Sequence, residues 1–148
     1  MSRSTANMRN LAERLVAYEA IGRKPFERHG RTFGRVIEKV RGPLTALTGV
    51  AGFRSLLSRA LALANVEVRW LRAVHVKADG TMECPPEIAR LDKEEIANGE
   101  VALLAQLLGL LVTLIGEALT ARLLEDVWPG VPINDFDLGR KSPRKEQK

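Results

Sequence analysis

Apolar positions recur three and four residues apart along most of this chain, the register of helices that each bury one face. Leu11, Leu15 and Tyr18, with Met8 and Ile21 beside them, predict a first helix over Asn7–Ile21, stopped by Gly22 and Pro25. A second stretch, Arg31–Arg41, divides cleanly, with Phe33, Val36, Ile37 and Val40 on one side and Arg28, Arg31, Arg35 and Lys39 on the other. Gly42-Pro43 then predicts a break, Pro43 opening a new helix that runs to about Leu71. Leu44, Leu47, Val50, Phe53, Leu57, Leu61, Val68 and Leu71 form its apolar stripe.

The register changes in AVHVKADGTMEC, where alternating Val74 and Val76 and an Asp79-Gly80 turn predict a small hairpin or ordered loop near 73–84. Helical spacing returns at Asp92, which can cap a helix with Glu95 three residues on, and continues to about Val127 before Trp128-Pro129-Gly130 ends it. This last helix holds the longest apolar run, and Val101 to Gly116 carries no charge. A membrane span needs about 20 mostly apolar residues, and Gln106, Glu117 and Arg122 interrupt the wider window, so the reading is a buried helix. The fold expected is all-α: a compact bundle of about four helices, two of them long, near 43–71 and 92–127. Residues 1–130 form one helical domain, and 131–148 an extended, disordered basic tail.

On a wheel of about 100° per residue, the polar and small residues of the last helix share an edge. Gln106, Thr113, Glu117 and Thr120 fall within about 60° of one another, with Gly109 and Gly116 alongside. Ala105, Gly109 and Thr113, then Gly116 and Thr120, repeat small residues four apart, a spacing that lets another backbone come close. Each internal glycine costs about 1 kcal/mol against alanine, so close packing would be the compensation. The edge Ala105, Gln106, Gly109, Thr113, Gly116, Glu117 and Thr120 is therefore the candidate interaction surface, the place for a tightly packed neighbour or second subunit. On it Gln106 and Glu117 read either as a buried polar pair for chemistry or ligand binding or as the wetted strip of a core helix.

Composition sharpens this picture in two respects. With aromatics at only 5% in a chain that is 45% hydrophobic, the core is aliphatic. Charge is unevenly spread: residues 1–78 hold fifteen Lys/Arg against five Asp/Glu, a net of +10, whereas residues 79–127 hold three against ten, a net of −7. Arg28, Arg31, Arg35 and Lys39 make the best candidate for nucleic-acid or acidic-partner contact, since cations on one helix face can neutralise phosphates. No aromatic is interleaved to stack bases, so only sequence-independent contact is implied.

Catalytic chemistry has little to stand on. The chain has no nucleophile elbow, phosphate-cradling glycine loop or HExxH, and its two histidines, His29 and His75, are far apart. The single cysteine, Cys84, has no partner for a disulfide or a zinc site. No enzyme, cofactor or metal is expected. The polar opening segment lacks an apolar signal core, so the cytoplasm is the expected compartment.

The run EKVRGPLTALTG, Glu38 to Gly49, resembles the phosphoacceptor box of sensor histidine kinases, with Arg41, Pro43, Leu44, Thr45, Ala46, Leu47 and Gly49 in register. That resemblance implies a dimeric helical hairpin. It implies no phosphotransfer, because Glu38 stands where the histidine belongs and Lys39 where an acidic residue follows it. Three functions are thus in view: a helical interaction module, self-associating or bound to a partner protein; a nucleic-acid binder using the basic half; and a degenerate dimerisation hairpin of the kinase kind.

Overall fold

The computed structural model describes residues 3–21 and 34–133. Within them lie four helices: α1 Arg3–Ile21, α2 Arg35–Glu67, α3 Lys93–Ile115 and α4 Glu117–Val127. Two 3-10 turns, Arg69–Ala73 and Pro86–Arg90, flank a hairpin of β1 His75–Val76 and β2 Met82–Glu83, paired antiparallel with His75 opposite Glu83. The fold is helical with one small hairpin, as the periodicity predicts.

The breaks fall elsewhere than expected. Gly42-Pro43 does not end a helix: α2 passes through it, with Val36, Ile37, Val40 and Leu44 buried on one face and Gly42 and Pro43 exposed on the other. Proline's missing N–H forfeits one ladder bond, and the unbroken apolar face holds both sides in register. The discontinuity comes at Gly49, with φ 83 and ψ 164. Gly116 repeats it, with φ 90 and ψ 161, so the expected helix 92–127 is two helices, α3 and α4. Side chains avoid this backbone region, which is essentially reserved for glycine. A Cβ at either position would meet nothing within 4 Å, so glycine is required here by backbone geometry and not by lack of room.

Both ends of α2 converge on neighbouring residues of α3. The Gly34 N–H donates to Glu100 Oε2 at 2.7 Å, and the Trp70 ring lies over Gly99, where an added Cβ would come within 2.3 Å of Cζ2. A straight helix of 33 residues would hold its ends about 50 Å apart. α2 therefore folds back at Gly49 into two arms, 35–48 and 50–67. Because the flanking residues are helical and peptides are planar, nearly equal dihedrals at Gly116 impose the same kind of change of direction between α3 and α4.

α3 is the centre of the fold and packs against both α1 and α2. Its start is secured by a capping box: Glu95 N–H donates to Asp92 Oδ1 at 2.8 Å, and Asp92 N–H to Glu95 Oε1 at 3.1 Å. Leu103, Leu104, Leu107, Leu108 and Leu111 are fully buried among Leu11, Leu15, Phe53 and Leu57 from the surrounding helices, each such side chain worth about 1.5–3 kcal/mol of burial. By length and composition α3 also passes for a membrane-crossing helix, yet half of its most apolar window is covered by the rest of the fold. Cover fades after Leu111, and Leu114 is 57% exposed. Packing resumes beyond α4, where Trp128, Val131 and Ile133 are buried. Of the expected tail 131–148, Val131 and Ile133 are thus buried, and the residues from 134 onward lie outside the described residues.

Candidate functional site

Two carboxylates sit where the helix registers call for leucine. On α1 the buried stripe Met8, Leu11, Ala12 and Leu15 continues one turn later into Glu19, only 6% exposed. On α3 Glu100 sits among Ile96, Leu103, Leu104 and Leu107 and is 2% exposed. A buried carboxylate is tolerated only with donors around it, and both have them. Glu19 Oε2 accepts from Trp128 Nε1 at 2.7 Å and faces Lys39 Nζ at 3.1 Å, while Oε1 faces Arg35 Nε at 3.5 Å. Glu100 accepts the Gly34 N–H that precedes α2.

Glu19 thereby ties α1, the first turns of α2 and the end of α4 to one group. This changes the standing of the basic stripe. Arg35 and Lys39 are half-exposed, but both face Glu19 within the chain, and Arg28 and Arg31 lie outside the described residues. Sequence reasoning passed over Glu19 and Glu100. The signal available was their spacing: Leu11, Leu15 and Glu19 are four apart, as are Ile96, Glu100 and Leu104, and acidic residues on an apolar register either break the helix face or are buried with partners.

The small-residue edge of α3 lies on the side turned away from the core. Ala105, Gln106 and Gly109 are half-buried, and Thr113 is exposed, its hydroxyl donating to the Gly109 carbonyl at 3.1 Å. Gly116 is exposed, Glu117 half-buried and Thr120 fully buried. Nothing within the described chain packs on Gly109 or Gly116, since an added Cβ at either meets no atom within 4 Å. The edge is open along Gly109, Thr113 and Gly116 and closed at Thr120, whose hydroxyl is buried without a hydrogen-bond partner. Exposed leucines flank the open part, Leu114 at 57% and Leu119 at 45%, and Leu47 and Val50 project similarly beside Gly49.

Among the described residues the remaining reactive groups do not form a cluster. Cys84 is a half-buried free thiol held above its usual range, first by desolvation and then by the negative charge of Glu100. Asp79 is held below the usual carboxylate range because it accepts from the Thr81 hydroxyl and N–H, with Lys77 and Arg41 adding attraction. That pattern pins the hairpin turn. Glu38, at the kinase histidine's place, is exposed and pairs with Arg41 at 3.0 Å. No three His, Cys, Asp or Glu side chains gather as a metal set among the described residues. Comparison with protein-family models, with curated proteins and with solved structures finds no match to this chain.

Proposed function

We propose that the chain is a non-enzymatic helical module that self-associates, a second copy seating against the open edge of α3 at Gly109, Thr113 and Gly116. The observation that carries this reading is the uncovered small-residue edge beside Leu114, which is 57% exposed. Glycine and threonine at four-residue spacing let a second helix approach closely, and the leucines beside them supply apolar area. The segment from Val101 to Gly116 is uncharged. A two-fold contact that places it against its own copy therefore brings no like charges together. The nucleic-acid reading receives less support, because Arg35 and Lys39 are engaged with Glu19.

The test is the molar mass across a dilution series by light scattering or sedimentation. The parent chain should shift from dimer to monomer on dilution, and Leu114→Glu, which puts a charge at the seam without touching the core, should remain monomeric throughout. A parent that is monomeric at its highest concentration would sink the proposal.

A further inference from the structure

At the other end of α3, near Gly99, the two 3-10 turns enclose a pocket of about 360 Å³, within the range of small-molecule sites. We infer that this pocket binds a small amphipathic carboxylate, its apolar body against Trp70 and its anionic head between Arg69 and Arg72. The arrangement follows from the geometry of the turn. A 3-10 helix has three residues per turn, so side chains three apart eclipse. Arg69 and Arg72 therefore project on one line, and Trp70 and Ala73 on the next. Trp70 and Ala73 line the pocket together with both arginines.

The floor is held in place. Trp70 rests on Gly99, the residue whose missing side chain makes room for the ring: a Cβ there would lie 2.3 Å from Cζ2 and 2.7 Å from Cη2. Ile88, 2% exposed, and half-buried Leu91 complete the apolar wall from the second 3-10 turn. The rim is unevenly charged. Among the described residues, the exposed side chains of Arg69 and Arg72 have no ion-pair or hydrogen-bond partner, and Glu87 is the one acidic side chain lining the pocket. Two unengaged guanidiniums over an apolar floor match one carboxylate on an aromatic or aliphatic body. Glu87 disfavours a dianion and suits a ligand that also carries a hydrogen-bond donor.

The test is a titration of the full chain with 3-phenylpropionate, read on the Trp70 indole N–H resonance by NMR, with its neutral amide as the comparison probe. The Trp70 signal should move saturably with the carboxylate. Affinity should fall about tenfold both for the amide and for the Arg69→Gln/Arg72→Gln double variant, as loss of a charge-assisted contact implies. The buried Trp128 resonance, unchanged in the variant, certifies its fold. An unmoved Trp70 signal overturns the inference. So does equal binding of acid and amide, which would leave only an apolar crevice with no role for the arginines, and the amide comparison needs no variant.

Discussion

At the C-terminal end of α4, Glu19 is buried and each of its oxygens faces a donor, with Trp128 at 1% exposure sealing the junction. At the N-terminal end of the same helix, Leu119 and the neighbouring Leu114 stand in water, and Gly116 offers no side chain to cap the first turn. One short helix thus has a charge inside at one end and leucines outside at the other. Satisfied polar burial marks the end that closes the chain on itself. Apolar exposure marks the end that the described chain leaves uncovered.

The largest test of this contrast is at Glu19. Glu19→Ala strands the Trp128 indole N–H in the core, and an orphaned buried donor costs about 1–3 kcal/mol. Arg35 and Lys39 lose their partner too, but they are partly exposed, so their share is discounted. A loss of about 3 kcal/mol in urea unfolding is expected, with Glu19→Gln, which keeps an acceptor for Trp128, costing about 1 kcal/mol. If alanine costs no more than glutamine, the junction is not what closes the fold.

Next comes the turn itself. Gly116→Ala meets open space, so its whole cost is backbone strain, about 1–3 kcal/mol. Gly49→Ala should match it, because the two glycines share dihedrals and both are open. Thermal or urea unfolding of the two variants checks this. A large difference between them would show that the turns, alike in geometry, are unlike in the strain they can absorb.

Much of this architecture was legible in residue order. The helical periods, the Asp92 capping box and the Asp79-Gly80 hairpin each rest on local chemistry that one segment contains. The reversals were not legible in the same way. Gly42-Pro43 carries the stronger local break signal, and what overrides it is the buried face Val36, Ile37, Val40 and Leu44, a tertiary fact. Gly49 and Gly116 sit inside runs whose apolar spacing continues across them, so nothing local separates a glycine that turns the chain from one, like Gly109, that remains helical. The outer edge of α3 was readable from the wheel, but its openness depends on where α2 and α4 fold back. Glu19 was hidden by its distance from Trp128 along the chain, although its apolar register marked it.

Between the two ends of α4 lies Thr120, fully buried with its hydroxyl unpartnered. It sits three residues after Glu117, the first of α4, and carries a cost that neither end explains. Thr120→Val keeps the shape and removes the orphaned polar group, so it should stabilise the chain by about 1 kcal/mol in urea unfolding. A destabilisation instead would mean that the hydroxyl finds a partner in solution, and that the closed character of the C-terminal end reaches back toward Gly116.

The smallest effect belongs to the exposed leucines. Leu119 is 45% exposed and lies on α4 five residues before fully buried Leu124, on a different face of the helix. Leu119→Ser should change the stability of the monomer by no more than about 0.5 kcal/mol, measured at concentrations below any self-association. The same substitution in a core leucine would cost several times more, since its whole side chain leaves apolar surroundings. A loss of about 2 kcal/mol at Leu119 would show that this end is packed after all, and the contrast between the two ends of α4 would collapse into a single closed helix.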